Sequence, residues 1–250
     1  MENLFSTSQL AQKRALITGG TSGIGLATAM LLAKYGVKLY IIGRHEDKLD
    51  AALEKIKNQH EEIEVYGMSV DVSKNGDIQQ LFESIDQHWG GLDILINNAA
   101  IGYGSILKGN YEDWEYAVKT NLLGYLACSN EAATRMEKQG WGHIINIGSM
   151  SADERGEKSS VYVATKSALQ GFCESFRKEV NQKNINVTLI EPGAVSTPMQ
   201  KMDEAEKQRK IEELEMLHSN DIANSVLYVL AQPERCAIVD LKIRPLKQLI

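Results

Sequence analysis

The stretch Ala15-Leu16-Ile17-Thr18-Gly19-Gly20-Thr21-Ser22-Gly23-Ile24-Gly25 joins a short apolar run to a helix start through four glycines. The run before it suits a strand, and the helical pattern after it continues from Ile24 to Lys34. Glycines let a backbone turn tightly and come close to a ligand. The unpaired N–H groups and the dipole of a helix start favour an anion such as a pyrophosphate. The spacing is T-G-x-x-x-G-x-G rather than the common dinucleotide pattern G-x-G-x-x-G.

Outward from this turn, short β-branched runs alternate with longer helix-period segments. Strands are expected at Ala15–Thr18, Val37–Ile42, Glu64–Val70, Leu92–Ile96, Gly142–Ile147, Asn186–Ile190 and Ala237–Ile243. Between them the pattern predicts helices up to about Asn58 and His88, over Trp114–Lys138 and Val161–Gln182, in the charged Asp203–Leu217 and over Asp221–Leu230. Strand, helix, strand repeated in this way implies parallel strands joined by right-handed crossovers. The expected architecture is therefore α/β: a doubly wound, Rossmann-type parallel sheet of about seven strands with helices on both faces. With no repeat, low-complexity tract or linker, residues 1–250 are expected to form a single domain. Such a sheet binds ligands beyond the carboxyl ends of its strands, at the switch in strand order.

Composition narrows the function classes. The chain has 250 residues, with 43% hydrophobic and 24% charged, which excludes a disordered chain. Its net charge of -6 argues against nucleic acid as a partner. Cys128, Cys173 and Cys236 are odd in number and widely spaced, and are read as buried thiols in a reducing compartment. The histidines, His143 and His218 among them, lack ligand spacing and are read as surface or capping groups; no metal is expected. The polar Met1–Gln12 carries no apolar core of a secretory signal, and no apolar run is long enough to span a membrane. A cytoplasmic location follows as the expectation.

Two further turns carry chemistry. After the second strand the chain reads Ile41-Ile42-Gly43-Arg44-His45. An NAD site commonly has an acid here, for the ribose hydroxyls. Arg44 instead suits a 2′-phosphate, so NADP(H) is expected over NAD(H). Glu46 and Asp47 belong to the helix start that follows. Further on, Tyr162 and Lys166 are four apart, and a helix puts them on one face. An ammonium beside a phenol lowers its pKa toward a working acid or base. Ser149 follows the strand ending at Ile147, where its hydroxyl can bond a substrate oxygen as charge develops. Asn97-Asn98-Ala99-Ala100 ends the fourth strand, where a cofactor cleft is expected.

In order and spacing these motifs resemble the short-chain dehydrogenase/reductase family, in its "classical" branch, from about Lys13 to Ile243. The resemblance implies that Tyr162 is the general acid in reduction and the base in oxidation. Lys166 would lower the tyrosine pKa and bond the nicotinamide ribose, and Ser149 would hold the substrate oxygen. Asn121 matches the helix asparagine that supports a proton-relay water. Gly19, Thr21, Ser22, Gly23, Ile24 and Gly25 would line the pyrophosphate. Asp71 and Val72 would meet the adenine, and Asn97 and Ala99 the adenosine side. In Pro192-Gly193-Ala194-Val195-Ser196-Thr197, the Val195 backbone would meet the carboxamide and Thr197 the phosphates. The substrate would be a small carbonyl or alcohol, and the chain would pair its two long helices into a homodimer or homotetramer.

The chain departs from the family pattern in places. Ala100 replaces the usual glycine of N-N-A-G. The ending lacks the V-D-G-G of 3-oxoacyl-carrier-protein-type reductases; Ile238, Leu241, Ile243, Pro245 and Gln248 instead match a pattern recurring among serine and 3-hydroxy acid dehydrogenases. Asp153, Glu154, Arg155, Glu157 and Lys158 are read as a solvated loop, with contact to a polar substrate as the other reading. The resemblance makes about 199–218 a substrate lid with Met199, Met202, Ile211 and Leu214 packed inward and i,i+4 ion pairs outward. An epimerase or dehydratase of the extended branch needs a different glycine spacing. A non-catalytic NADP(H)-binding regulator would lack one of Ser149, Tyr162, Lys166 or Asn121, and all four are present.

Overall fold

The computed structural model describes residues 7–60 and 62–248, so the polar opening Met1–Gln12 is described only from Thr7 onward. The chain alternates as its pattern predicts: β1 Arg14–Thr18, α1 Gly23–Lys34, β2 Lys38–Gly43, α2 Glu46–Gln59, β3 Val65–Ser69, α3 Asn75–Trp89 and β4 Ile94–Asn97. The second half runs α4 Tyr111–Val118, α5 Gly124–Gln139, β5 Gly142–Ile147, α6 Ser151–Glu154, α7 Ser160–Val180, β6 Ile185–Pro192, β7 Val195–Ser196, α8 Glu204–Glu212, β8 Leu217–His218, α9 Ser219–Leu230 and β9 Asp240–Ile243. Seven strands form one parallel sheet in the order β3-β2-β1-β4-β5-β6-β9. The order reverses between β1 and β4, which fixes the switch point.

The strands are apolar on both faces because both faces are covered. Along β2, Leu39 and Ile41 enter one core while Tyr40 and Ile42 enter the other; β1 and β4 divide in the same way. The first core is packed by α1, α2 and α9, the second by α3, α5 and α7. Each Ile or Leu removed from water here is worth roughly 1.5–3 kcal/mol. Among the described residues, no helix is long and apolar enough to cross a membrane.

Several expectations are corrected. The helix expected over Trp114–Lys138 is α4 and α5 joined by a π-turn, Lys119–Leu123, in which Gly124 N–H donates to Lys119 O. Helical periodicity cannot distinguish the two windings, because a single π-turn shifts the phase by only one residue. The helix expected over Asp203–Leu217 stops at Glu212, where Leu214 turns to φ 63°; Leu217–His218 then pairs with Val195–Ser196. The last strand is Asp240–Ile243, shorter than expected. Leu214 is exposed, and Met216 is the residue buried beside it. Cys236 is exposed, unlike Cys128 and Cys173.

His143 is not a surface group either: it is buried in β5. The Thr188 hydroxyl donates to Ile238 O at 2.6 Å, so it accepts from His143 Nε2–H at 2.9 Å. That assigns the neutral tautomer and ties β5 to β6 and the chain before β9. Burial pushes the imidazole pKa down to about 4, against about 6.5 unfolded. Between those values the unfolded chain binds more protons, so stability falls as pH drops through that window, by about 3 kcal/mol in all. His143→Leu is expected to flatten this acid limb in urea unfolding followed from pH 7 to pH 4; an unchanged limb would contradict the assignment.

Candidate active site

Where β1 and β4 part, Thr18 and Asn98 lock the two strand ends together. Thr18 Oγ1 accepts from the N–H groups of Asn98 (2.9 Å) and Ala99 (3.0 Å), while Asn98 Nδ2 donates to Thr18 O (3.0 Å) and Gly19 O (3.1 Å). Gly19 is at φ 66°, and a Cβ there would stand 2.9 Å from Ala99 Cα. The close approach that the glycine permits is therefore to the neighbouring strand end. The chain leaving this clamp starts α1 at Gly23 from Ser22, whose side chain makes no cap. The first-turn N–H groups of α1 have no partners inside the helix.

These groups open on a cavity of about 1000 Å³ that follows the carboxyl edge of the sheet. Gly19, Thr21, Ser22, Gly23 and Ile24 line one wall, with Arg44, Val72 and Ala99. Ser149, Tyr162, Lys166, Pro192, Gly193, Val195 and Thr197 line another. The residues that the sequence singled out are thus brought together, with exceptions. Gly25 is buried within α1, Asp71 holds Ser73 N–H at 3.0 Å, and neither lines the cavity. Asn97 faces the interior, donating to Asn146 Oδ1 (2.9 Å), Ser129 Oγ (3.0 Å) and Tyr125 O (3.3 Å). Its neighbour Asn98 lines the cavity instead. Alternation along a strand sends adjacent side chains opposite ways, but both faces of β4 are packed, so the pattern alone does not choose between the two asparagines.

At the end of β2, a Cβ on Gly43 would stand 2.5 Å from Thr21 Cγ2, so an acidic side chain at that position would crowd the glycine loop. Arg44 is exposed; its guanidinium donates to the Tyr116 hydroxyl, which donates to Asp71 Oδ2 at 3.2 Å. His45 and Lys48 line the cavity beside Arg44, giving this end three basic groups. Lys48 stands in the first turn of α2, four residues after Arg44.

At the other end, α7 presents Tyr162 and Lys166 one turn apart. Lys166 is fully buried; its Nζ donates to Ile147 O at 2.8 Å and to the Tyr125 hydroxyl at 3.5 Å. Burial lowers the Lys166 pKa to about 7, with Cys173 and Glu191 opposing. Burial raises the Tyr162 pKa, with the Ser149 hydroxyl opposing. Lys166 Nζ stands 5.8 Å from the centroid of the Tyr162 ring, so the two groups share one end of the cavity. Ser149 Oγ accepts from Ser151 N–H at 3.1 Å, the first residue of α6.

Asn121 does not line the cavity. It sits in the π-turn with Oδ1 accepting from Ile101 N–H and Nδ2 donating to Ile101 O, each at 2.8 Å. It also reaches Thr165 Oγ1 at 3.4 Å, so it joins the loop after β4 to α7. Thr120, beside it, lines the cavity, and its Oγ1 is buried without a hydrogen-bond partner.

The charged loop is not simply solvated. Asp153 pairs with Lys242 at 2.6 Å, and Glu154 lines the cavity. On α8 the outward ion pair Arg209–Glu213 forms at 2.5 Å. Met199 reaches the cavity, and Met202 and Ile211 are half-buried.

The profile of the short chain dehydrogenase family matches residues 13–208. An uncharacterised oxidoreductase of Staphylococcus saprophyticus is 33% identical over 238 residues, covering 95% of this chain and 99% of that one. Another, from Staphylococcus aureus, is 34% identical, covering 94% and 98%. Among solved structures, the L-sorbose reductase of Gluconobacter frateurii complexed with NADPH and L-sorbose superposes with a TM-score of 0.86 at 26% identity, covering 96% and 98%. An alcohol dehydrogenase from Thermococcus sibiricus complexed with 5-hydroxy-NADP gives 0.85 at 25%, covering 96% and 99%.

The buried lysine carries a stability cost with a definite pH dependence. Its folded pKa of about 7 lies below the unfolded value near 10.4. The unfolded chain therefore binds more protons across that window, and this group's contribution to stability improves as pH rises through it. Lys166→Met is expected to be more stable than the parent at pH 7, with the difference shrinking toward pH 10. Unfolding midpoints of the two chains at several pH values test this; a constant difference would contradict a displaced lysine pKa.

Proposed function

The chain belongs to the short-chain dehydrogenase family of oxidoreductases, and on that premise we propose that it uses NADP(H) to interconvert a small carbonyl compound and its alcohol. The observation carrying this reading is that one cavity joins the glycine loop and three basic groups to Ser149, Tyr162 and Lys166.

The residues present fit such a cofactor. The free first-turn N–H groups of α1 suit a pyrophosphate. Arg44, His45 and Lys48 suit the extra phosphate that distinguishes NADP from NAD. Thr120, one of the lining residues, keeps a buried hydroxyl without a hydrogen-bond partner. The NADPH and 5-hydroxy-NADP in the two structural relatives support the same preference. When bound, the nicotinamide supplies or takes up the hydride.

The chain's own residues would handle the proton and the oxygen. The Tyr162 phenol, kept protonated by burial, delivers its proton to a carbonyl oxygen as that oxygen gains charge. The Ser149 hydroxyl donates to the same oxygen and stabilises it. The Lys166 ammonium steadies the phenolate left behind and offers its one remaining N–H to the ribose. Asn121 positions the loop after β4 against α7 and would support a proton-relay water. In the reverse direction the same groups take the proton from an alcohol. The segment 199–218 serves as a lid, with Met199 on its cavity side. Val118 and Leu123, exposed at the ends of the π-turn, support pairing of the long helices into a homodimer or homotetramer.

Two variants test the assignments. Tyr162→Phe is expected to bind NADPH as the parent does while turnover drops by about 10²–10⁴-fold; turnover near the parent's would remove Tyr162 as the proton donor. Arg44→Ala is expected to narrow the NADPH-over-NADH ratio of kcat/KM by about tenfold, and an unchanged ratio would place the phosphate elsewhere.

A further inference from the structure

The last described residues of the chain return to the cavity. Gly193 N–H donates to Ile243 O at 2.8 Å, holding the end of β9 beside the turn after β6. The chain then bends at the buried Pro245: Gln248 N–H donates to Pro245 O at 3.2 Å, and Lys247 N–H donates to Leu214 O at 3.0 Å. This bend delivers the Gln248 carboxamide between two loops. Its Oε1 accepts from Ala194 N–H at 2.9 Å, and its Nε2 donates to Glu154 Oε1 at 2.9 Å. A Cβ on Gly193 would stand 2.2 Å from Gln248 Oε1, so the turn must be bare there for the carboxamide to fit.

Gln248 and Glu154 both line the cavity that holds Ser149 and Tyr162. Glu154 ends α6, the single turn whose first N–H is held by Ser149 Oγ. The pair therefore stands at the reacting end, far along the edge from Arg44. Each keeps bonding capacity: the carboxamide has a second N–H and a second lone pair, and the carboxylate a second oxygen. The cavity's charge is divided accordingly. Arg44, His45 and Lys48 stand at one end and Glu154 at the other, where the cation Lys166 is pinned on Ile147 O. Lys201, the remaining cation of the lining, is exposed on the segment beyond Thr197.

We propose that Gln248 and Glu154 form the substrate-selecting wall, taking a carbonyl compound that bears a second hydroxyl and disfavouring one that bears a carboxylate. The inference rests on the reductase reading of the same cavity. The second hydroxyl donates to the free oxygen of Glu154 and accepts from the free N–H of Gln248. A ketone lacking it leaves both polar groups unmatched, which a site built for a hydroxyl penalises. A substrate carboxylate meets the negative charge of Glu154, while the nearby cations are engaged elsewhere: Lys166 on Ile147 O, and Arg244, outside the cavity lining, on Gln248 O at 2.6 Å.

The test compares NADPH-dependent reduction of acetoin, butanone and acetoacetate by the parent chain, Glu154→Gln and Gln248→Ala, with NADPH affinity measured in parallel by nicotinamide fluorescence. Acetoin is expected to exceed butanone by about tenfold in kcat/KM, and acetoacetate by more. Gln248→Ala should raise the KM for acetoin about tenfold with kcat and NADPH affinity held. Glu154→Gln should narrow the gap to acetoacetate about tenfold, again with NADPH affinity held. Three results would overturn the inference: equal or better reduction of acetoacetate by the parent, no change in either variant, or NADPH bound while none of the three ketones is reduced. Loss of NADPH affinity in Gln248→Ala would assign that side chain to the cofactor instead. Failure of the parent to bind NADPH would overturn the reductase reading, and this inference with it.

Discussion

The Thr18–Asn98 clamp is the contact on which the rest of the site depends. Parallel strands put all their carboxyl ends on one edge, but at a switch in strand order the adjoining loops diverge and leave a crevice. Thr18 Oγ1 and the Asn98 side chain close the floor of that crevice with four hydrogen bonds. Everything above it is set from there. The glycine loop leaves from the clamp on one side, the loop held by Asn121 leaves on the other, and β5 and β6 carry Ser149 and Pro192 to the same height.

The reacting end departs from what stability alone would select. A buried lysine with its ammonium against a backbone carbonyl and a buried threonine hydroxyl without a partner both reduce the stability of the folded chain. Such violations concentrate at functional sites in natural proteins. Lys166 and Thr120 both line the cavity that holds Ser149 and Tyr162, whereas the other buried unpartnered atoms among the described residues, Asn97 Oδ1 and Glu191 Oε2, belong to β4 and β6 and lie outside its lining. The π-turn belongs to the same pattern, because it sets Asn121 against Ile101 and Thr165 where a regular helix would carry the register past them.

Much of this was legible in the sequence. Apolar runs alternating with helical segments specify a parallel α/β sheet, and the glycine spacing with Tyr162, Lys166 and Ser149 locates the cavity. What escaped did so for physical reasons. A buried histidine has the same composition as an exposed one; only the Thr188 hydroxyl on the neighbouring strand makes His143 a core residue. Asn97 and Asn98 are adjacent and identical, and one step of the pleat decides which meets the cavity. The helix after Asp203 has a continuous charged pattern, yet the pairing of Leu217 with Val195 cuts it short. Gln248 stands in a recognisable C-terminal pattern, but its place at the cavity depends on how the chain bends at Pro245 and is held by Leu214.

One continuous cavity is proposed to bind a phosphorylated dinucleotide at the end lined by Arg44, His45 and Lys48. The most direct measurement is a titration of the purified chain with NADPH and with NADH, followed by nicotinamide fluorescence at moderate and at high salt. Saturable binding is expected for both, with NADPH about tenfold tighter and its advantage shrinking as salt screens the basic groups. Equal affinities at every salt concentration, or no saturable binding of either nucleotide, would contradict the account.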